Sequence, residues 1–185
     1  MNKIIGIDCD ETIVHLSSLW WSYLLANYTL KNEWVYKALD GTTRPYNLTE
    51  MFNIPEDSDP FEFWYATDLY DDMIPRPDTL EFIPRIRQLG FKVVFISQTM
   101  GLHGQSKTNF INKWFDNDGI IFTKDKHYVK CDVMIDDNPE VLDKFEGDTI
   151  LIKFRNDYEF KSKCTKPHIV CYDWKSIYNI LKENI

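Results

Sequence analysis

The chain lacks the features that mark membrane proteins, secreted proteins and proteins that bind nucleic acid polymers. No apolar run reaches the roughly 20 residues that a membrane span needs, so we expect no membrane association. There is no secretory signal pattern, and the four cysteines form no C-x-x-C pair, so we expect a reducing, cytoplasmic location. Basic residues are few: 21 Lys and Arg stand against 29 Asp and Glu, a net charge of −8. This balance argues against polymeric nucleic acid as the main partner.

Further absences narrow the chemistry. A cysteine-dependent phosphatase would need an arginine six residues after its nucleophile, but His15 follows Cys9 at that distance. The four histidines show no metal-ligand spacing. The remaining composition is that of an ordinary globular protein, 44% hydrophobic and 27% charged over 185 residues, which is enough to bury a core. The sequence does not determine the oligomeric state, and a homodimer is left open.

The first strand-like segment of the chain ends in two carboxylates. Residues 3–7 form a short, β-branched apolar run of the kind that a parallel sheet buries on both faces. Asp8 and Asp10 follow where such a strand would leave the sheet. Ligand sites in open α/β sheets lie at the carboxyl ends of the strands, so chemistry is expected here. An isolated D-x-D is also common in solvated turns, and the later strands decide between the two interpretations.

Three later apolar runs also end in polar groups. These groups are Ser97 and Gln98 after residues 93–96, Lys124 and Lys126 after residues 119–122, and Asp136 and Asp137 after residues 133–135. If the runs are neighbouring parallel strands, one edge of the sheet collects four carboxylates, a hydroxyl and a lysine. Four crowded carboxylates would repel one another unless a cation neutralised them, and oxygen ligands favour Mg²⁺. The hydroxyl and the lysine would then hold an anion such as phosphate.

Strand-like runs alternate with helical patterns along most of the chain. Predicted strands cover residues 3–8, 92–97, 119–122, 132–136, 149–153 and 168–171, and predicted helices cover residues 77–89, 104–116, 138–145 and 173–183. Such alternation is typical of an α/β fold with a doubly wound, Rossmann-like parallel sheet.

Residues 15–73 interrupt this alternation and hold thirteen of the chain's aromatic residues. A serine pair predicts a helix over residues 18–28, and an Asp-Pro pair predicts another near residues 60–70. Most of these aromatics are expected to form the segment's own core. One or two on a face turned toward the strand ends could stack on a ligand's base.

The order of these motifs resembles that of the haloacid dehalogenase (HAD) superfamily of phosphohydrolases. The shared order is D-x-D-x-T, a strand ending in Ser or Thr, a lysine, and an Asp-Asp pair, and it covers roughly residues 3–14 and 75–145. The resemblance implies an HAD-like core, residues 1–14 and 74–185, with a small helical cap, residues 15–73, inserted after the first strand. It also implies Mg²⁺ as cofactor.

A narrower resemblance is to the 5′(3′)-deoxyribonucleotidase family. The segment from Thr123 to Lys126 precedes Asp136 and Asp137 at that family's distance, and the sequence Pro-Arg-Pro over residues 75–77 matches its Pro-x-Pro. A small-molecule nucleoside monophosphate is therefore the expected substrate.

Two positions depart from this family's pattern, and two others match its aromatics. Glu11 stands where the family usually has glycine, and Leu16 stands where it often has a phenylalanine that faces the substrate. Trp64 and Tyr70 fall where the family has aromatics near the substrate. We therefore place Leu16, Trp64 and Tyr70 in the expected substrate-binding set.

The resemblance assigns roles to the first two carboxylates. Asp8 is expected to attack phosphorus and form an aspartyl-phosphate. Asp10 is expected to protonate the leaving alkoxide and then to activate the water that hydrolyses the intermediate. Both belong to the expected metal site, Asp10 through its backbone carbonyl.

The remaining motifs supply the expected phosphate and metal contacts. Ser97 and the amide of Gln98 would donate to phosphate oxygens, and Lys126, with Lys124 as its competitor, would offset the negative charge. Asp137 is the expected metal ligand of the acidic pair, with Asp136 orienting it or sharing that role.

Two alternative functions stay open at this point. One is an HAD phosphatase that acts on a 3′-phosphorylated polynucleotide end, a sugar phosphate or a phosphoprotein. The other, more remote, is a receiver-like domain that accepts phosphate without turnover. In receivers the acidic pair comes first and the phosphorylated Asp comes later, whereas this chain has the reverse order.

Overall fold

A computed structural model describes residues 3–39 and 43–184 of the chain. The strands in chain order are β1 (Ile4–Ile7), β2 (Thr29–Leu30), β3 (Arg44–Pro45), β4 (Phe52–Asn53), β5 (Lys92–Ser97), β6 (Gly119–Phe122), β7 (Val133–Asp136), β8 (Ile150–Phe154), β9 (Tyr158–Glu159) and β10 (Ile169–Cys171). The α-helices are α1 (Ser17–Asn27), α2 (Asn32–Leu39), α3 (Pro77–Gln88), α4 (Gly104–Trp114), α5 (Pro139–Leu142) and α6 (Trp174–Asn184).

Six of the strands form one parallel sheet in the order β10-β8-β7-β1-β5-β6. The first strand, β1, lies at the centre between β7 and β5. Since all six strands run the same way, their carboxyl ends meet at one edge of the sheet. The prediction of an α/β fold with a doubly wound parallel sheet is therefore confirmed, and all six predicted strands are present with small shifts at their ends.

The sheet separates two apolar layers. One layer joins strand residues such as Ile5 and Phe95 to the helices α3, α4 and α6. The other joins Ile96 and Met134 to the short helix α5. At the centre of β1, a Cβ on Gly6 would lie 2.7 Å from Ile96 Cδ1 and 2.9 Å from Met134 Sδ, so any larger residue here requires these two side chains to shift.

The boundaries of α3 follow the predicted start and stop signals. Pro77 occupies the first turn of the helix, and Gly90, with φ of 96°, follows its end. The helix predicted over residues 138–145 is shorter, because α5 contains only Pro139–Leu142.

The helix predicted near residues 60–70 is wrong. Only a single 3₁₀ turn, Glu62–Tyr65, forms there. Asp59 accepts a hydrogen bond from the Phe61 amide, closing a tight turn rather than starting a helix, and Ala66 has left the helical region with ψ of 128°. The aromatics of this turn pack against the segment's apolar cluster, and that packing replaces a longer helix as the source of its stability.

The segment between β1 and α3 builds a small apolar cluster of its own. Its buried members are Trp20, Leu24, Leu48, Met51 and Phe52, and most of the segment's other aromatics pack around them. Strands β2 and β4 pair antiparallel within the segment, whereas β3 pairs with β9, which lies beyond the sheet strand β8. The boundary of the cap at residues 15–73 stays a prediction. Within the described residues, no helix has the length and apolar character that a membrane span requires.

Candidate active site

A cavity of about 410 Å³ opens at the carboxyl ends of β1, β5 and β7. One part of its wall is polar and is formed by Asp8, Asp10, Glu11, Ser17, Asn47, Gln98, His103, Lys124, Lys126, Asp136, Asp137 and Asn138. The rest is apolar or aromatic and is formed by Trp20, Tyr46, Leu48, Phe61, Trp64, Met100, Val141 and Tyr158. The predicted carboxylates and the inserted segment therefore face one another across a single cavity.

Three buried carboxylates form the floor of the cavity. One oxygen each from Asp8, Asp136 and Asp137 lies within 4.8 Å of the others. Burial, with the nearby charges of Asp136 and Asp10, raises the pKa of Asp8 to about 7, although Lys126 opposes the shift. Burial and the charges of Asp136 and Asp8 also hold the pKa of Asp137 well above its usual range. The cluster therefore lacks enough positive charge to stabilise three ionised carboxylates.

The donor set of this cluster fits a hard divalent cation. All three side chains offer carboxylate oxygens, which are the ligands that Mg²⁺ prefers, and a cation would relieve the repulsion that raises these pKa values. Among the described residues, Oδ1 of Asp137 accepts no hydrogen bond. Both oxygens of Asp136 are used, because Oδ2 accepts from Lys126 and Oδ1 accepts from the Asn138 amide. The hydrogen bonds therefore leave Asp137 freer than Asp136 to bind a metal.

Lys126 lies between two of the carboxylates. Its Nζ is 2.6 Å from Asp8 Oδ1 and 2.7 Å from Asp136 Oδ2, and its side chain is only 6% exposed. Burial alone would lower the pKa of Lys126, but the Asp136 and Asp8 charges outweigh it and raise that pKa, so the ammonium form is stabilised. Lys124 also lines the cavity but is exposed. Of the two lysines left open by the sequence, Lys126 is the one in contact with Asp8.

Asp10 is held by two donors that come from distant parts of the chain. The Tyr70 hydroxyl donates to Asp10 Oδ1 at 2.5 Å, and Lys107 Nζ lies 2.8 Å from Asp10 Oδ2. Lys107 is fully buried, and it also donates to the Ser97 hydroxyl at 3.2 Å and to the Gln98 carbonyl at 2.7 Å. Lys107 thus links the expected acid–base group to the expected phosphate-binding strand end.

Ser97 is the last residue of β5 and Gln98 follows it, but only Gln98 lines the cavity. Ser97 is buried, with its hydroxyl directed to Lys107. Their roles as phosphate donors stay predictions.

Glu11 occupies a left-handed backbone conformation. Its φ is 60°, a region that glycine adopts without the cost that a side chain brings, which accounts for glycine at this position in the resembled family. The Glu11 carboxylate accepts hydrogen bonds from the Ser17 amide at 2.6 Å and from the Ser17 hydroxyl at 2.9 Å. Glu11 therefore caps the start of α1, and the predicted cap by the serine pair is wrong.

An aromatic wall faces the carboxylates. The rings of Trp20 and Trp64 meet edge to face with centroids 5.6 Å apart, and Phe61 lies 5.6 Å from Trp20. Trp20 is fixed further, because its indole N–H donates to the Pro60 carbonyl at 3.0 Å. Trp64 lines the cavity, and it is half-buried with surface left for a ligand. Its role in substrate binding stays a prediction.

The other two expected substrate contacts are placed elsewhere. Leu16 is fully buried in the main apolar layer, where it packs with the sheet and its helices instead of lining the cavity. Tyr70 is only 1% exposed, so its ring cannot stack on a ligand in this structure, and its hydroxyl contacts Asp10 instead. The prediction that Leu16 and Tyr70 contact the base is therefore wrong. Leu16 is held in the apolar layer, and Tyr70 is held by its hydrogen bond to Asp10.

Sequence reasoning missed several residues of the site. Lys107 and Phe110 lie on the same buried face of α4. A lysine at a core position of an amphipathic helix could have indicated a functional role for Lys107. His103 lines the cavity, where its Nδ1 donates to the Trp64 carbonyl at 2.9 Å and its Nε2 accepts from the Met100 amide at 3.3 Å. The Tyr158 hydroxyl donates to Asp137 Oδ2, a contact with no local sequence signal.

Comparison with solved structures shows the family of folds. L-2-haloacid dehalogenase from Xanthobacter autotrophicus aligns over 100% of both chains, with a TM-score of 0.62 and 10% sequence identity. A HAD-superfamily hydrolase from Ehrlichia chaffeensis aligns over 99% of this chain and 98% of its own, with a TM-score of 0.57 and 13% identity. No curated protein sequence matches the chain. The fold is that of the HAD hydrolases.

The sequence places the chain more closely. The family model described as "5′ nucleotidase, deoxy (Pyrimidine), cytosolic type C protein" matches residues 2–183, nearly the whole chain. The chain belongs to this nucleotidase family, and its class is that of the HAD phosphatases.

Proposed function

We propose that this protein is a Mg²⁺-dependent phosphomonoesterase that dephosphorylates deoxyribonucleoside and ribonucleoside monophosphates. One observation carries the proposal: a single cavity joins the buried cluster around Asp8 to the aromatic wall around Trp64. The cluster suits a phosphoryl group with a cation, and the wall offers a base a surface to stack on. The description of the matched family as a cytosolic deoxy 5′-nucleotidase supports both the substrate class and a cytoplasmic location.

Asp8 is the proposed nucleophile. It lies directly after the central strand, and its Oδ1 is paired to Lys126 at 2.6 Å, so the carboxylate is held at the cavity floor. Attack of this oxygen on phosphorus forms an aspartyl-phosphate and expels the nucleoside alkoxide. Lys126 offsets the charge that Asp8 and the phosphoryl group bring together.

The proposed cation would be held by Asp8 and Asp137, with Asp136 close by. When bound, Mg²⁺ would neutralise the carboxylates and polarise the phosphoryl oxygens. Asp136, with both oxygens already bonded, holds Lys126 and the turn at Asn138 in place.

Asp10 is the proposed acid and base. It lies two residues after Asp8, and its side chain is 28% exposed, so it keeps access to the cavity. In the first half-reaction it donates a proton to the leaving oxygen, and in the second it accepts one from the attacking water. The two donors, Tyr70 and Lys107, hold the Asp10 carboxyl group in place.

The aromatic wall favours a nucleoside over a small phosphate ester. Stacking of a base on an aromatic ring is worth about 1–3 kcal/mol. The inserted segment covers the cavity, and the net charge of −8 disfavours a long phosphodiester chain, so a 3′-phosphorylated polynucleotide end is the weaker alternative.

A panel of phosphate esters tests the proposal. Phosphate release would be measured from nucleoside 5′- and 3′-monophosphates, from glycerol phosphate and from a phosphopeptide, each with Mg²⁺ and with EDTA. The proposal expects the nucleotides to be turned over with the highest kcat/KM and all activity to depend on Mg²⁺. Preference for glycerol phosphate or the phosphopeptide, or full activity in EDTA, would contradict it.

A further inference from the structure

One short segment after β8 contacts both the acidic cluster and the inserted segment. It is the bridging segment, residues 156–160, and its central residue is Tyr158. The Tyr158 hydroxyl donates to Asp137 Oδ2 and accepts a hydrogen bond from Asn156 Nδ2 at 2.9 Å. A tyrosine hydroxyl is thus bonded to the carboxylate whose other oxygen is free to bind a cation.

The backbone of the same residue pairs with the inserted segment. Strand β9 runs parallel to β3 with Tyr158 opposite Arg44, and the Tyr46 amide donates to the Glu159 carbonyl at 2.9 Å. The Tyr46 ring stacks on Phe160, with centroids 4.2 Å apart and an interplanar angle of 23°. The side chain of Tyr158 and its backbone therefore reach two different parts of the molecule.

The first residue of the bridging segment, Asn156, is linked through Arg76 to the loop that follows β1. The Arg76 guanidinium donates to the Asn156 side-chain carbonyl and, at 2.8 Å, to the Glu11 carbonyl. Arg76 lies where the chain returns from the inserted segment to α3, and its own amide donates to the Ile13 carbonyl at 2.8 Å. Since Asn156 in turn donates to Tyr158, the hydroxyl is oriented from one side and Asp137 accepts from it on the other.

We infer that Tyr158 is a positioning residue that couples the geometry of the metal ligand Asp137 to the docking of the inserted segment through β3. The inference rests on the proposed metal site. A hydrogen bond to one oxygen of a carboxylate fixes the direction of the other, and groups that orient ligands in this way affect metal affinity strongly. Because Tyr158 cannot move without disturbing β9, displacement of β3 changes the support of Asp137. Linkage requires the converse, that a bound cation stabilises the β3–β9 pairing.

The test measures metal binding and backbone protection without substrate. Mn²⁺ binding is followed by electron paramagnetic resonance for the wild-type chain, for Tyr158→Phe, which keeps the ring, and for Phe160→Ala, which removes a ring that stacks on Tyr46 and meets Tyr158 edge to face. Tyr172→Phe is the matched control, because Tyr172 is 64% exposed and its hydroxyl accepts from Arg155. Amide hydrogen exchange at Tyr46 is measured with and without Mg²⁺ in each protein, and circular dichroism checks the fold.

The inference predicts that Tyr158→Phe weakens Mn²⁺ binding about 10-fold and that Phe160→Ala weakens it in the same direction by a smaller factor. Mg²⁺ should slow exchange of the Tyr46 amide in the wild-type chain and in Tyr172→Phe but not in Tyr158→Phe. Wild-type Mn²⁺ affinity in Phe160→Ala, or Mg²⁺ protection retained in Tyr158→Phe, would overturn the coupling. If the wild-type chain bound no Mn²⁺, the metal site of the proposed function would itself be wrong, and this inference would fall with it.

Discussion

Lys107 Nζ lies 2.8 Å from Asp10 Oδ2, although the two residues are 97 positions apart in the chain. The lysine is fully buried on α4, and the same ammonium group donates to the Ser97 hydroxyl and the Gln98 carbonyl. A buried ammonium without partners would be costly, and these three acceptors offset that cost. The contact aligns the proposed acid–base group with the end of β5.

Replacing this lysine tests the contact. Lys107→Met removes the charge but keeps most of the side-chain volume, and we expect kcat to fall by about 10²–10⁴-fold, the range that a misplaced acid–base group would forfeit. Mn²⁺ binding should change much less, since Lys107 does not contact Asp8 or Asp137. Lys113→Met, on an exposed turn of the same helix, is the control and should keep wild-type turnover. Near-normal kcat for Lys107→Met would mean that Asp10 needs no such support.

The role of Asp10 can be separated from that of Asp8 by changing the leaving group. Asp10→Asn should slow nucleoside monophosphates far more than an aryl phosphate, because a phenolate leaves with little protonation and an alkoxide does not. Rates of both half-reactions would be followed by rapid quench. Equal losses on the two substrates in the first half-reaction would rule out Asp10 as the acid.

The aromatic wall should act on binding more than on chemistry. Trp64→Ala is expected to raise KM for nucleotides by roughly 5–150-fold, the equivalent of about 1–3 kcal/mol of stacking, and to leave an aryl phosphate nearly unaffected. Trp34→Ala is the control, since Trp34 packs on the inserted segment's cluster and is absent from the cavity lining. An unchanged nucleotide KM for Trp64→Ala would assign Trp64 to packing alone.

Glu11 offers a stability test with opposing contributions. Glu11→Ala loses the cap on Ser17 and keeps a side chain at φ of 60°, so it should destabilise the fold by about 0.5–2 kcal/mol. Glu11→Gly loses the same cap but relieves the backbone, and it should be more stable than Glu11→Ala by about 1 kcal/mol. Urea denaturation of the two variants gives the difference directly. If alanine proved as stable as glycine, the backbone at this position would carry no strain.

Much of the fold and of the acidic cluster could be predicted because the signals are local. Each sheet strand is a short apolar run, and a parallel sheet brings Asp8, Asp136 and Asp137 to one edge once the strands are recognised. Lys126 is also readable, because it follows β6 at a short distance.

The missed contacts depend on tertiary packing. Tyr70 lies 60 residues from Asp10, and Tyr158 lies 21 residues from Asp137. Spacing along the chain therefore predicts neither contact. The sequence does not distinguish the aromatic residues of the inserted segment from one another. Only the tertiary packing shows that Trp64 faces the cavity and that Tyr70 is buried against Asp10. The failed helix near residue 60 has the same origin, because packing of the aromatics around Trp20 outweighed local helix preference.

The covalent intermediate on Asp8 is the central claim, and trapping it is the most direct test. The Asp10→Asn variant, slowed in the second half-reaction, would be mixed with a ³²P-labelled aryl phosphate and Mg²⁺, quenched in acid and digested. An aryl phosphate is used because its phenolate leaves without the proton that Asp10 would supply. We predict acid-stable, alkali-labile label on the peptide that contains Asp8. No label is expected when Asp8→Asn is combined with Asp10→Asn, or when the Asp10→Asn protein is treated with EDTA. Asp8→Asn alone should lose nearly all turnover. Label on a different residue, or a tenth of wild-type turnover in Asp8→Asn, would contradict the account.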